Sequence, residues 1–210
     1  MNSVLEEQII ISLGSNLGDR LNALYKALAL LEAYPISIKL LSKVYETPAW
    51  GFKGEPFYNA CVSIKTKLKP KDLLEVLLKV EKTMGRLPSK GKGYSSRTID
   101  LDLLFYKSKN IFSAKLKVPH PKLHKRNFVL APLCEIAPKF IHPILFQTIE
   151  ELFQNSSDRI IATPLTYDLG LPPIFKSFPY IVIEGNIGVG KTTLAKLLAV
   201  NYNSKLLSES

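Results

Sequence analysis

The chain has 210 residues, of which 46% are hydrophobic and 22% are charged. This composition supplies enough apolar side chains for a folded core and argues against a wholly disordered chain. The sequence contains no apolar run of about 18 residues, so it predicts no transmembrane helix. Its formal net charge of +10 suits an anionic partner, either a nucleic acid or a nucleotide, without deciding between the two.

The cysteines and the first residues indicate the compartment. Cys61 and Cys134 are far apart and form no C-x-x-C motif, which favours free thiols in a reducing environment. The N-terminal residues lack the basic start of a signal peptide. We therefore expect a cytoplasmic protein.

Strand and helix patterns alternate along the first part of the chain. Residues 8–13 form a short apolar run that predicts a buried strand. Leucines at helical spacing predict a helix near 19–33, with Asp19 as its N-cap. Residues 37–47 are strand-like, and a loop rich in glycine, proline and aromatic residues follows at 48–56.

The same alternation continues to a fourth strand. Residues 57–66 alternate in polarity as a strand does, and a helix that Pro70 opens and Gly85 ends comes next. A basic loop at 86–97 leads to a strand at 98–106. This order predicts an α+β fold, a ferredoxin-like antiparallel sheet with both helices on one face and the other face free for a substrate.

The rest of the chain predicts a second, smaller segment. Short helices near 128–138 and 148–155 complete a first domain over 1–165. Residues 166–178 contain a double proline and are interpreted as a linker, which leaves 179–210 as a separate segment.

The final segment carries a phosphate-loop motif, G-x-x-x-x-G-K-[ST], between a predicted strand at 180–184 and a helix that begins near Lys191. In such a loop, backbone N–H groups from Gly185 to Gly190 hold phosphates, Lys191 reaches the β and γ positions, and Thr192 binds Mg²⁺. A parallel sheet needs several strands buried on both faces, and about 30 residues do not supply them. We interpret the motif as a genuine loop in an inactive, partial strand–helix unit.

Two acidic residues stand on the fourth predicted strand. The two-residue period puts Asp100 and Asp102 on one face with Leu104, roughly 7 Å apart. The opposite face receives Ile99, Leu101, Leu103 and Phe105. Two carboxylates on an otherwise apolar strand repel each other and are costly to desolvate unless a cation lies between them. Mg²⁺ is the natural candidate, because it binds one or two carboxylates together with substrate phosphates.

Basic residues precede this acidic pair. The loop ahead of the strand carries Arg86, Lys90, Lys92 and Arg97. In phosphoryl transfer, a metal bridges phosphate oxygens while Arg and Lys neutralise the charge that develops. A solvated strand face with two ordinary surface acids is the alternative, and the neighbouring cations favour the polyphosphate site.

The segment "SSRTIDLDLLF" (95–105) resembles the signature of the 6-hydroxymethyl-7,8-dihydropterin pyrophosphokinase family. Further blocks in the same order resemble that family: "ISLGSNLGDR" (11–20), "VYETPAWG" (44–51), "FYNACV" (57–62) and "VPHPKLHKRNFVLAPLCEIAP" (118–138). Together they cover about residues 8–140. The family's fold is ferredoxin-like, in agreement with the strand and helix order.

The resemblance implies transfer of pyrophosphate from ATP to the hydroxymethyl group of the dihydropterin, releasing AMP. It implies two Mg²⁺ held by Asp100 and Asp102, with Arg86 and Arg97 contacting the phosphates. The residues that it implies for the ATP site are Glu81, Arg97, His120 and Arg126. Those that it implies around the pterin are Thr47, Pro48, Trp50, Phe57, Asn59, Tyr94 and Phe128. Tyr94 stands where the family carries a tryptophan.

The tail has a resemblance of its own. Its sequence, E-G-N-I-G-x-G-K-T, is similar to the corresponding motif of deoxynucleoside kinases. In those enzymes a glutamate at the position of Glu209 serves as the base. We expect 179–210 to be the truncated start of such a domain. The alternatives to the pyrophosphokinase are therefore a deoxynucleoside kinase acting through the tail and an RNA-binding ferredoxin-like domain. The acidic pair on the open face argues against RNA, and we expect neither a nucleic-acid nor a membrane partner.

Overall fold

The computed structural model describes residues 8–49, 51–86, 95–167, 169, 181–186, 188–201 and 205–207. The chain forms two units, Met1–Leu169 and Gly170–Ser210. The boundary between them falls inside the segment predicted as a linker. Within the described ranges, no helix has the length and apolar character needed to cross a bilayer.

The strands of the first unit follow the predicted order. They are β1 (Ile9–Ser15), β2 (Ile36–Leu41), β3 (Tyr45–Thr47), β4 (Phe57–Thr66), β5 (Asp100–Tyr106), β6 (Ile111–Phe112), β7 (Lys117–Val118) and β8 (Thr163–Pro164). The main sheet runs β5–β1–β4–β3–β8, with β2 also paired to β4, and its pairs are antiparallel. The predicted antiparallel sheet is confirmed, while the short strands β6, β7 and β8 were not predicted.

The helices of this unit are α1 (Arg20–Glu32), α2 (Pro70–Thr83), α3 (Asn127–Ile136) and α4 (Ile149–Gln154), with a 3₁₀ turn at Leu123–Lys125. All four α-helices match predicted positions. Asp19 caps α1 as predicted, since its side chain accepts a hydrogen bond from the backbone N–H of Asn22 at 3.0 Å. Capping satisfies a donor that the first turn of a helix leaves unpaired.

Each face of the sheet has its own hydrophobic core. The first lies between the sheet and helices α1 and α2, with Leu24 and Leu77 among its buried side chains. The second lies between the opposite face and helices α3 and α4, with Leu130 and Ile149 among its members. The prediction that this opposite face is free was wrong, because α3 and α4 cover part of it. The uncovered part holds the site described below.

The predicted strand over 37–47 is two strands, so that prediction was wrong in its middle. Leu41 pairs with Val62, whereas Tyr45 pairs with Asn59, so residues 41–45 contain one residue more than the paired residues 59–62. Ser42 bridges the interruption: its N–H donates to the carbonyl of Cys61, and its Oγ accepts from the N–H of Cys61. The extra residue disrupts the ladder locally, and pairing with β4 resumes at Tyr45.

A bulge in β5 corrects the faces predicted for that strand. Ile10 pairs with Phe105 and Ile11 with Leu103, which leaves Leu104 as an extra residue. Leu104 and Phe105 consequently both lie in the second core. Strict alternation had placed Phe105 on the face of Leu101 and Leu103, and that placement was wrong. The acidic positions precede the bulge and keep their predicted common face.

The second unit contains helix α5 (Lys191–Asn201), at the predicted position. The strand predicted at 180–184 is absent from residues 181–184, which form no strand in the structure. A parallel strand is stable between hydrogen-bonded neighbours. Among the described residues, none supplies such a neighbour here.

Candidate active site

Strands β5, β1 and β4 carry polar and aromatic side chains on the sheet face opposite α1 and α2. Their register sets Gly14 of β1 between Asn59 and Asp100, and Ser12 opposite Asp102. These residues border a cleft with about 590 Å³ of empty space, part of it open solvent. It is lined by Ser12, Leu13, Gly14, Thr47, Pro48, Phe52, Phe57, Asn59, Arg97, Asp100, Asp102, Arg126, Phe128 and Val129.

Gly14 forms the floor of this cleft. A Cβ atom there would lie 3.3 Å from Oδ1 of Asn59 and 3.7 Å from Cδ1 of Phe57. A side chain would therefore fill the space between the amide and the aromatic ring. Glycine inside a strand commonly marks a close approach of another group to the backbone. The predicted strand ends at residue 13, and Gly14 was given no role in the site.

One end of the cleft suits a flat heteroaromatic group. Asn59 is buried, and its Nδ2 donates to Oγ1 of Thr47 at 2.9 Å, which fixes the orientation of the amide. Phe52 and Phe57 pack edge to face, with their ring centroids 6.2 Å apart. Phe128 lines the same cleft. Aromatic walls with an oriented amide bind a planar ring and its hydrogen-bonding edge.

The other end of the cleft is charged. Oδ1 of Asp100 lies 2.6 Å from Nη1 of Arg86, and Oδ2 lies 2.8 Å from Nη1 of Arg97. Arg86 also forms an ion pair with Glu81. Glu81 is buried, and its carboxylate accepts a hydrogen bond from the N–H of Leu101 at 2.7 Å. Burial raises the pKa of Glu81 to about 7, although this hydrogen bond and Arg86 favour its charged form.

The carboxyl group of Asp102 is poorly solvated. Burial, and then the nearby charge of Asp100, raise its pKa to about 6, while Arg126 acts in the opposite direction. Two neighbouring carboxylates, one of them poorly solvated, have the charge and ligand type that a divalent cation needs. In the described part of the chain, no group of three or more His, Cys, Asp or Glu forms a metal cluster. A pair of carboxylates is what Mg²⁺ uses when substrate phosphates and water complete its shell.

Asn16 connects two loops at the rim of the cleft. Its Nδ2 donates to the carbonyl of Glu55 and to Oγ of Ser96, both at 3.1 Å. Its Oδ1 accepts from the N–H of Arg97 at 2.8 Å. The buried amide thus fixes the backbone that presents Arg97 to Asp100. Asn16 was not among the predicted site residues.

Comparison with known proteins identifies the architecture around this cleft. The model of the family "7,8-dihydro-6-hydroxymethylpterin-pyrophosphokinase (HPPK)" matches residues 10–138, more than half of the chain. The chain belongs to the HPPK family. The 2-amino-4-hydroxy-6-hydroxymethyldihydropteridine pyrophosphokinase of Aquifex aeolicus is 43% identical over 144 residues, which cover 68% of this chain and 88% of that protein.

Other HPPK relatives are longer than this chain. The "Folate synthesis bifunctional protein" of Arabidopsis thaliana is 46% identical over 131 residues, which are 62% of this chain and 27% of that protein. A solved structure of Plasmodium falciparum HPPK-DHPS has a TM-score of 0.56 at 17% identity and covers 73% of this chain and 47% of that chain. At this identity the structural likeness shows the fold alone.

Most of the positions that the HPPK resemblance predicted come together in the structure. The predicted residues that line the cleft are Thr47, Pro48, Phe57, Asn59, Arg97, Asp100, Asp102, Arg126 and Phe128. Glu81 and Arg86 adjoin it through Asp100 and the start of β5. Trp50 and Tyr94, like Lys90 and Lys92, lie outside the described residues.

His120 lies near these groups without lining the cleft. The backbone N–H of His120 donates to the carbonyl of Leu104 at 3.0 Å, and this bond connects the segment after β7 to β5. Burial, and then the charge of Arg126, lower its pKa to about 4, so the imidazole is neutral at pH 7. A neutral imidazole can still accept or donate a hydrogen bond to a nucleotide.

Proposed function

We propose that this chain transfers pyrophosphate from ATP to 6-hydroxymethyl-7,8-dihydropterin, giving AMP and the pterin diphosphate in folate biosynthesis. The observation that carries the proposal is that one cleft joins a ring-binding end, around Phe57 and Asn59, to a carboxylate–arginine end, around Arg97 and Asp100. Membership of the HPPK family supplies the reaction class.

At the ring-binding end, Asn59 forms hydrogen bonds with the edge of the pterin, and the aromatic side chains enclose the faces of the ring. Asn59 offers both a donor and an acceptor, and its bond to Thr47 fixes which atom faces the ring. Gly14 leaves the floor open for the heterocycle. The hydroxymethyl group then points towards the aspartates, because Asn59, Asp100 and Asp102 lie on one face of the sheet.

At the charged end, we assign the polyphosphate to Arg86, Arg97 and Arg126. Arg86 and Arg97 pair with Asp100 in this structure, and phosphate oxygens compete for the same guanidinium groups. Asp100 and Asp102 are the ligands proposed for two Mg²⁺ ions, which neutralise phosphate charge when bound. Glu81 and His120 are assigned to the ATP side of the cleft.

Product analysis tests the proposal. The full chain is incubated with ATP, Mg²⁺ and the dihydropterin, and adenine nucleotides are separated chromatographically. We expect AMP to form only when the dihydropterin is present. If no AMP forms and ADP forms only when a deoxynucleoside is present, the proposal is rejected in favour of a deoxynucleoside kinase that acts through residues 179–210.

Nucleotide binding by the tail is the second candidate function, and the conformation of its loop favours it. Gly185, Gly188 and Gly190 have φ of 155°, 88° and 86°. Nζ of Lys191 donates to the carbonyls of Gly185 and Asn186, at 2.9 Å for the latter. A lysine folded over a glycine loop before a helix matches the phosphate-binding arrangement. Thr192 follows it in the first turn of α5. The kinship of this segment with deoxynucleoside kinases remains part of the proposal.

Replacing Lys191 with alanine separates the two candidates. We expect Lys191→Ala to leave dihydropterin-dependent AMP formation within about twofold of the unmodified chain, because every described residue that lines the cleft lies between Ser12 and Val129. The variant Lys196→Ala, on the same helix, is the matched control. Loss of AMP formation in Lys191→Ala alone would show that the tail takes part in the reaction.

The affinity for MgATP is expected to rise with pH through about 6 and to level off above about 7. Asp102 must lose its proton to act as a metal ligand, and its pKa is raised to about 6. Titration calorimetry between pH 5 and 8 measures this profile. ATP itself also titrates, so Asp102→Asn is run in parallel, and the difference between the two profiles isolates Asp102. Identical profiles would contradict the assignment.

A further inference from the structure

Arg20, the first residue of α1, makes contacts that the proposed reaction does not use directly. Its Nη1 donates to Oε1 of Glu46 and to the carbonyl of Pro56, both at 2.9 Å. Its guanidinium carbon lies 3.8 Å from the centre of the Tyr58 ring. Arg20 does not line the cleft, because it approaches the sheet from the side of α1.

These contacts enclose the loop at residues 48–56. Glu46 stands one residue before Thr47, and Pro56 stands one residue before Phe57, and Thr47 and Phe57 are cleft residues that pair with each other. Successive side chains of a strand point to opposite faces. Arg20 therefore holds both ends of the loop from the far side of the sheet, while the neighbouring side chains face the cleft.

Two further contacts support the group formed by Arg20, Glu46 and Tyr58. Tyr167 packs against Tyr58, with ring centroids 6.0 Å apart. Strand β8 adds Thr163 opposite Glu46, so β3 is paired on both sides. The Arg20–Glu46 ion pair is partly exposed and by itself contributes little to stability. Its combination with a carbonyl bond and a ring contact fixes a geometry rather than supplying a large free energy.

We propose that Arg20 is a positioning residue for the dihydropterin: it fixes the ends of the 48–56 loop and thereby the placement of Thr47 and Phe57 in the cleft. The inference rests on the proposed function of that cleft. Arg20 contacts no substrate and takes no part in phosphate chemistry, so its influence falls on the pterin alone.

Steady-state kinetics of Arg20→Met and Arg20→Lys test this role. We expect Arg20→Met to raise the KM for the dihydropterin about tenfold, with the KM for ATP and kcat within about twofold of the unmodified chain. Arg20→Lys keeps the charge but not the planar, forked guanidinium, so it restores part of the loss. Lys26→Met, an exposed cation on the same helix, is the matched control and leaves both KM values unchanged.

Three outcomes overturn the inference. The first is an unchanged KM for the dihydropterin in Arg20→Met. The second is a parallel change in both KM values and kcat, which would indicate general destabilisation. The third applies if Arg20→Met does not fold, when Arg20→Lys alone is informative. It is an Arg20→Lys variant whose KM for the dihydropterin changes no more than its KM for ATP. A chain without dihydropterin-dependent AMP formation would overturn the proposed function as well, whereas an active chain with normal Arg20 variants overturns this inference only.

Discussion

Replacing Asp102 with asparagine is expected to lower kcat for pyrophosphoryl transfer by about 10³-fold or more, because electrostatic stabilisation is the main contribution in phosphoryl transfer. Asparagine keeps the shape of the side chain and removes one anionic ligand of the acidic pair. Initial rates of AMP formation at saturating ATP and dihydropterin measure the effect. Asp100→Asn is expected to be similarly inactive.

The same substitution is expected to stabilise the protein without ligands at pH 8. Asp102 has a folded-state pKa of about 6, above its ordinary value of 3.8. Its contribution to stability is therefore present below about pH 4 and is lost as the pH rises through 6. Asparagine removes this loss, by an amount on the order of 3 kcal/mol in the free energy of unfolding.

Glu75→Gln is the matched control for both measurements. Glu75 lies on the exposed side of α2, away from the cleft. Stability is measured as the midpoint of unfolding in urea at pH 8. Substitution of Glu75 should leave both kcat and this midpoint unchanged. A kcat of Asp102→Asn close to that of the unmodified chain would refute the role assigned to the acidic pair, whatever the change in stability.

Asn59→Ala is expected to raise the KM for the dihydropterin by about 30- to 100-fold while leaving the KM for ATP unchanged. A site built to hydrogen-bond a polar edge loses much of its affinity when the partner group is removed. The substitution also leaves the hydroxyl of Thr47 without its donor from Asn59. Separate titrations of the two substrates measure the two KM values.

Ser63→Ala provides the control for this second substitution. Ser63 is buried on the same face of β4, four residues further along and outside the cleft. It should show nearly normal KM values for both substrates. Equal changes in the two KM values of Asn59→Ala would mean that Asn59 supports the sheet rather than the pterin.

Much of the fold could be predicted because local patterns and tertiary structure agree. The leucine stripe of α1 faces the first core, and the N-cap Asp19 makes the bond that its position implied. Alternation along β4 also predicted which of its residues share the cleft. The acidic pair of β5 was found from the same two-residue period.

The errors in the predicted fold lie where a bulge interrupts the two-residue alternation of a strand, or where separate elements pack together. The bulge in β5 leaves no local signal in the sequence, because the extra residue Leu104 is as apolar as its neighbours. Only the pairing of β5 with β1 reveals it. The covering of the open face by α3 and α4 depends on how separate elements pack, which periodicity does not contain. The strand predicted near residue 180 had the right composition, but composition does not supply a neighbouring strand.

The sequence predicted residues that meet in one cleft, but it did not predict the contacts that support them. Charged residues near Asp100 were visible as a cluster in the sequence. Asn16 and Arg20 were not, because they act through backbone carbonyls of residues about 35 to 40 positions away. Gly14 carried a signal that could have been used, since glycine inside a strand indicates a close approach.

Tracing the β-phosphate of ATP tests the central claim most directly. ATP labelled at the β-phosphate is mixed with excess enzyme, Mg²⁺ and the dihydropterin in a single turnover, and the labelled products are separated. Pyrophosphoryl transfer predicts that the label appears in the pterin diphosphate, with one unlabelled AMP formed for each. Label retained in ADP, or AMP formed at the same rate without the dihydropterin, would contradict it.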